Sequence, residues 1–353
     1  MTPAKRITLR DIAERAKLSS AAVSMALRNK PTLPPATINR VKRIAEELGY
    51  VPDPALSALS ARREGNRPYD SVIAWVSNWD TVDAWQSCKA SCDLMEGASK
   101  RASELGYELR HVWAREAGMS NKRLSDVLVA RGIRGVILAP CQRQADPPLE
   151  LDWDRFSLSS VLNERHYPGI HNVVQDQYSA VSLCWKELLK MGHSRVGMVV
   201  SSFLSDRWSN RWEAAQALYQ SRYFRMNQQI PILRVDDRRD MDRIRFWIRR
   251  YRPTAIISRI PFMREAIEAE GLRIPEDIGF ASLNILSDNE PNGNGILQAC
   301  ERLGSIAVDV LDGKLKSYQR GLMSYPQRTQ IVGEWNQGET VREVASLPRA
   351  AIA

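Results

Sequence analysis

From residue 71 onward, short apolar runs alternate with helix-patterned segments, and this alternation constrains the fold more than any other feature of the chain. Ser71-Val-Ile-Ala-Trp-Val-Ser reads as a strand. Residues 89–105 follow with helical spacing (Leu94, Ala98, Ala102, Leu105) and stop at Gly106. Glu108–Trp113 is a second strand, Leu124, Val127 and Leu128 mark a helix, and Gly135-Val-Ile-Leu-Ala-Pro is a buried strand. Further strands are predicted at Ser157–Leu162, Arg195–Val200, Ile232–Val235, Ala255–Ser258 and Ile278–Leu283. The helices between them are predicted over 177–191, 208–221, 240–251 and 262–270. Such alternation predicts parallel, doubly wound sheets with helices on both faces. About 280 residues of these units exceed one domain of ordinary size, so two lobes are expected.

The first fifty residues follow a different pattern. Thr8 is placed to cap a helix starting at Leu9, with Asp11 three residues on completing a box-like start. Ile12, Ala13 and Ala16 line one face. Ser19 is the next cap, followed by Val23, Ala26 and Leu27 at helical spacing, and the connection Lys17–Leu18 is as short as in a helix-turn-helix. Pro34–Pro35 opens a third helix with the stripe Ile38, Val41, Ile44, Ala45 and Leu48, stopped by Gly49. After Tyr50-Val-Pro, Asp53 caps a short helix over 54–62 that carries Leu56 and Leu59 on one face and ends at Arg62-Arg63. A helix that short needs a partner to form. A leucine on a small polar helix beside arginines suits a minor-groove wedge; two leucines on a linker, packed against the body, would look the same. Residues 62–68 read as a boundary.

Charge separates the two regions. Thirteen Lys and Arg against six Asp and Glu in residues 1–67 leave +7 there, of +9 in the whole chain. A basic head on a nearly neutral body suggests a nucleic-acid module, with a solvated basic surface as the plain alternative. At 44% apolar and 26% charged residues the chain reads as an ordinary soluble protein. No window reaches the ~18 apolar residues of a membrane span, so no membrane role is expected. MTPAKRITLRDIAERAK has no apolar run behind its charges, so no secretory signal is expected and the cytoplasm is the expected location. Five scattered cysteines (88, 92, 141, 184 and 300) fit a reducing compartment.

Ile7-Thr-Leu-Arg-Asp-Ile-Ala-Glu-Arg-Ala, Leu18-Ser-Ser-Ala-Ala-Val-Ser and Glu46-Glu-Leu-Gly-Tyr-Val-Pro closely resemble the head of the lac repressor (LacI/GalR) family. The body resembles that family's effector domain, akin to periplasmic sugar-binding proteins. The match is strongest at Glu187-Leu-Leu-Lys-Met-Gly-His-Ser-Arg-Val-Gly, Arg252-Pro-Thr-Ala-Ile-Ile, Gly271-Leu-Arg-Ile-Pro-Glu-Asp-Ile-Gly and Gln298 to Val308. The implied fold is a small all-α helix-turn-helix head on a two-lobed α/β periplasmic-binding-protein-like domain. The implied boundaries are 1–52 for the head, 53–68 for hinge and linker, 69–345 for the effector and dimerisation domain, and 346–353 for a tail. Lobe one is expected at about 70–172 and 300–328, lobe two at about 173–297 and 330–345.

The resemblance implies phosphate contacts at Thr8, Ser19, Ser24 and Thr37, and base reading at Ser20, Ala21 and Met25. Tyr50 belongs to the Gly-Tyr-x-Pro motif of the DNA-binding head, and Leu59 matches the intercalating hinge leucine. Met25 stands where relatives usually carry Arg. It offers apolar contact rather than a bidentate hydrogen bond, and Ala21 neither donates nor accepts. Arg28, one turn after Ser24, supplies part of the readout. Pro34 replaces the usual hydroxyl cap of the third helix. In the cleft, Asp176, Arg211, Asn284 and Gln298 match positions that touch the effector, with Arg207 the second choice one turn earlier. Trp79, in the loop from Asn78 to Cys92, is a candidate for stacking on a sugar face, with core packing the plain alternative. Two departures stand out. Arg259-Ile260 replaces the family's Asn-Asp, and position 284 is Asn instead of Asp.

The implied function is a ligand-responsive transcription regulator, a repressor acting as a homodimer on a near-palindromic double-stranded operator, with a sugar or related metabolite between the lobes. An orphan regulator with no small-molecule effector is the alternative. A periplasmic binding protein is disfavoured by the basic head. An α/β enzyme is disfavoured by the lack of any Ser-His-Asp or Cys-His order or phosphate loop. Cys88 and Cys92 are spaced i,i+4 without a second pair, so neither a metal nor a cofactor is expected.

Overall fold

Capping chemistry and a small core of short side chains account for the head. A computed structural model describes residues 8–27, 34–48, 50, 71–141, 148–163, 166–285 and 292–344; it divides the chain into two compact units, Met1–Arg67 and Pro68–Ala353. In the first unit, α1 is Leu9–Ala16, α2 Ser20–Leu27 and α3 Pro35–Glu47. The backbone N–H and hydroxyl of Thr8 both donate to Asp11 Oδ2, at 2.7 and 2.6 Å. Lys17 turns left-handed at φ 50° and closes α1. Ser19 Oγ then accepts from the Ala22 N–H at 3.1 Å and starts α2. Ile12, Ala13, Ala16, Val23, Ala26, Val41, Ile44 and Ala45 are buried together. Six of these eight are Ala or Val, so the helices approach closely enough for Arg40 of α3 to donate to the Ala16 carbonyl at 3.2 Å.

The second unit contains two six-stranded sheets. In the first, β1 (Ser71–Ser77), β2 (Tyr107–Trp113), β3 (Gly135–Leu138), β4 (Ser157–Val161), β5 (Asn172–Gln175) and β11 (Arg328–Ile331) run in the order β2-β1-β3-β4-β5-β11, all parallel. The second has the order β7-β6-β8-β9-β10-β12. Its members are β6 (Val196–Ser201), β7 (Leu233–Val235), β8 (Ala255–Ser258), β9 (Gly279–Ile285), β10 (Asn294–Leu297) and β12 (Glu334–Asn336), and only β12 is antiparallel. In both sheets the strand order reverses beside the first strand, the doubly wound arrangement that opens a crevice at the strands' carboxyl ends. The central strands are buried on both faces, which is why they read as continuous apolar runs.

Helices cover each face. Those of the first sheet include α4 (Lys89–Glu104) and α5 (Asn121–Ala130), and α6 (Gln177–Lys190) packs on the second. Then come α7 (Ser202–Arg207), α8 (Arg211–Tyr223), α9 (Met241–Tyr251), α10 (Met263–Glu268) and α11 (Cys300–Lys316). The chain passes between the sheets three times, at 175–177, 297–300 and 331–334. β5 and β11 therefore both belong to the first sheet, and two of the three crossings fall about three residues later than the resemblance implied. The helix expected over 208–221 is α8, which starts three residues later, and the short α7 before it was not expected. Ser209 and Asn210 adopt φ of 53° and 56° and separate the two, with Arg207 at the end of α7. Strands β5, β10, β11 and β12 are too short to register as periodic runs. The hinge helix expected over 54–62 and the tail 346–353 lie outside the described residues. Among those described, no helix is long and apolar enough to cross a membrane.

Candidate functional site

On the head, α2 turns Val23 and Ala26 into the core and leaves Ser20 and Ala21 exposed, with Met25 half-exposed beside them. Thr8 and Ser19 are exposed at the first turns of α1 and α2, where backbone N–H groups and the helix dipole favour anions such as phosphate. Thr37 is half-buried in the first turn of α3. Tyr50 packs against the head's core, its N–H bonded to the Ala45 carbonyl at 2.9 Å. Arg28, Leu59 and the Ser24 side chain lie outside the described residues.

The carboxyl ends of both sheets form the second candidate site. From the second sheet, Arg259 follows β8, Asn284 is on β9 and Gln298 follows β10. With the Asn284 amide oriented to satisfy its neighbours, its oxygen accepts from Arg259 Nη2 and Nε at 3.1 and 3.2 Å, and its nitrogen donates to Gln298 Oε1 at 2.8 Å. Gln298 Nε2 donates onward to the Leu283 carbonyl at 3.0 Å. The Arg259 guanidinium lies 5.4 Å from the Trp208 ring centre, over its face. Arg207 reaches across to the first sheet. Its Nη1 donates to the Cys141 carbonyl beyond β3 and its Nη2 to the Leu162 carbonyl beyond β4, both at 2.9 Å. Leu162 sits at φ 55°, a left-handed turn that aims its carbonyl. Arg207 Nε is buried without a partner.

Burial pushes both guanidiniums below the ordinary arginine range. Arg259 falls to about 10, and the nearby charge of Arg207 adds to the shift. For Arg207 burial is again the leading cause. Both remain cations at neutral pH, and both keep partial solvent access, as groups lining the wall of a cleft do. Among the described residues, no carboxylate acts on either. The neighbours that do are the thiols of Cys88, Cys141 and Cys300, and burial raises Cys300 to about 12, so it is neutral at pH 7.

The remaining candidates have other partners. Asp176 caps α6, its Oδ1 accepting from the Ser179 N–H at 2.9 Å and its Oδ2 from the Ser179 hydroxyl at 2.6 Å. Arg211 opens α8 and is half-buried. Trp79 is buried. Its indole N–H donates to the Pro140 carbonyl, and its own carbonyl accepts from the Trp113 indole, both at 2.8 Å. It braces β1 against β3 and has no N–H left for a ligand, in line with core packing. Cys88 and Cys92 are free thiols. Asp93, Glu96 and Glu301 bring carboxylate oxygens within 4.8 Å of one another, and two of the three residues are exposed, as solvated acidic groups are. Arg259, which motif matching did not name as a candidate, lies beside Asn284 in this cluster. Its sequence signal was the very departure from Asn-Asp.

Residues 8–53 match the family of bacterial regulatory proteins, lacI family, and residues 185–341 match the periplasmic binding protein-like domain. Relatives include the HTH-type transcriptional repressor CytR of Escherichia coli, 25% identical over 54% of this chain and 53% of CytR, so that match spans about half of the relative. The HTH-type transcriptional regulator CelR of Thermobifida fusca is 25% identical over 99% of this chain and 87% of CelR. The same two-unit lacI fold is seen in the CelR–cellobiose complex (TM-score 0.57, 21% identity, 95% of this chain and 100% of that one). It is seen also in the lac repressor dimer bound to operator and an anti-inducer (0.55, 19%, 96% and 100%).

Proposed function

We propose that the chain is a sequence-specific, DNA-binding transcriptional regulator, a repressor working as a homodimer, whose affinity for its operator is set by a small molecule bound between the lobes. The observation that carries this reading is the joint presence of an exposed α2 face on a basic head and a cleft where four polar side chains of the second sheet's lobe converge and one of them, Arg207, bonds carbonyls of the first. α2 lies in the major groove, where Ser20 hydrogen-bonds a base edge and Ala21 and Met25 make apolar contact with thymine methyl groups. Thr8, Ser19 and the other hydroxyl residues fix the register on phosphates. Two hinge segments meet in the central minor groove, and Leu59 from each opens the central step.

An effector acts only through different affinity for two arrangements of the lobes, and Arg207 is the group that distinguishes them, because its bonds to Cys141 and Leu162 exist only when the lobes are close. The relatives' names supply the class of effector: CelR is bound to cellobiose, and the reading for this chain is a carbohydrate or carbohydrate-derived metabolite. No enzymatic step is assigned. The testing experiment is selection of the full-length protein against a random duplex pool at physiological salt. An enriched palindrome of two half-sites around a flexible central step supports the reading. Binding with no enriched sequence, with and without a metabolite mixture present, refutes it.

A further inference from the structure

We propose that the cleft takes an anionic ligand, a carbohydrate acid or sugar phosphate whose oxyanion sits between Arg207 and Arg259. The inference rests on the reading of the cleft as the effector site and goes beyond it by naming the ligand's charge. Two guanidiniums from the same lobe face one cleft, and each keeps some solvent access. They sit close enough for Arg207's charge to weigh on Arg259. Such a pair is costly unless something negative compensates it. Among the described residues no Asp or Glu does so, and Asp176 has both oxygens held by Ser179. Neutral thiols and the amide of Asn284 offer dipoles, not charge. Arg207 Nε is buried with no acceptor, a donor waiting for one.

The geometry also fixes how the anion is held. Arg259 is gripped along its Nε and Nη2 edge by the Asn284 oxygen and lies over Trp208, and Nη1 takes no part in that grip. Arg207 spends both Nη groups on carbonyls of the facing lobe and keeps Nε. A carboxylate or phosphate accepting from the two guanidiniums makes charge-assisted bonds that no neutral sugar can match. Asn at position 284 belongs to the same design: a carboxylate there would neutralise Arg259 itself, whereas an amide orients the guanidinium and leaves its charge to the ligand.

The test is calorimetric titration of the full-length protein with gluconate, glucuronate and glucose 6-phosphate, beside glucose and ribose as neutral controls, at two ionic strengths. The expected result is that at least one acid binds at least about tenfold more tightly than its neutral parent and weakens at high salt. Carboxylate and phosphate are told apart by which acids bind. Arg259→Gln abolishes the preference for the acid while circular dichroism and the melting temperature show the fold retained, which separates loss of the site from loss of the fold. Arg259→Lys keeps part of the preference. Neutral sugars binding as well as or better than every acid overturns the anion assignment and leaves the effector reading standing. Failure of every probe to bind overturns both.

Discussion

Arg207 is where a single side chain carries most of the mechanism. Its bonds to the Cys141 and Leu162 carbonyls tie the second sheet's α7 to the ends of β3 and β4. Arg207→Met keeps most of the apolar stem and removes both bonds. Solvent reaches the freed carbonyls, so the cost in stability is limited to roughly 1–3 kcal/mol. The larger effect is on lobe position: small-angle scattering of the ligand-free protein shows a larger radius of gyration in the variant, and an unchanged radius contradicts the latch. Titration is a second effect at this scale. Burial is the first cause of lowered values for His193, His171 and His111, so folding favours the neutral imidazole at all three. Stability from these groups is complete above the unfolded value of about 6.5 and is lost as pH falls through 6.5 toward the depressed folded values. Urea unfolding at pH 7.5 and 5.5 therefore finds the protein less stable at 5.5, and His193→Gln reduces the difference. A stability that rises on acidification refutes the assignment.

At the scale of elements, α4 and α11 approach each other through glycine. A Cβ on Gly97 would collide with the Glu301 carbonyl, and one on Gly304 with the Leu94 carbonyl, so each helix presents a glycine to the other's backbone. Gly304→Ala forces the pair apart and costs about 1–3 kcal/mol or more by overpacking. Calorimetry of the full chain reports this as a lower melting temperature for the transition of the second unit, with the head's transition unmoved. The head has its own sensitivity. Ile12 is fully buried in a core otherwise made largely of Ala and Val, and Ile12→Ala costs roughly 2–5 kcal/mol. That change abolishes DNA binding while the second unit melts as before; loss of both transitions together contradicts the division into independent units. Elements with strong periodicity or caps were legible in the sequence: α1 from Thr8 and Asp11, α3 from its prolines, β1 and β3 from their apolar runs. The break between α7 and α8 was not. Asn and Ser tolerate left-handed conformations without advertising them, and the apolar spacing on either side stays helical.

At the scale of the whole molecule, the order of a head followed by two doubly wound sheets was legible because each level of pattern points to the same architecture. The composition of the cleft was legible only in part. Asn284 and Gln298, named by position, lie together at the carboxyl ends of the second sheet's strands, and Arg207, named second to Arg211, bonds the first sheet's loops. Arg259 looked like a defect until the fold carried it beside Asn284, a contact across 25 residues of sequence that no local spacing encodes. The account joins two activities, specific DNA binding by the head and control from the cleft. Leu59→Ala should weaken binding to the selected operator far more than binding to unrelated duplex, and equal loss on both would sink the wedge role of that leucine. The most direct test of the central claim is the ratio of those two affinities for the unmodified full-length protein, measured at physiological salt and again at higher salt. The account predicts a preference for the selected operator of roughly 10³ or more at physiological salt, with a residual preference after phosphate contacts are screened. Equal affinities for operator and unrelated duplex, falling together with salt, would reduce the head to a basic surface and contradict it.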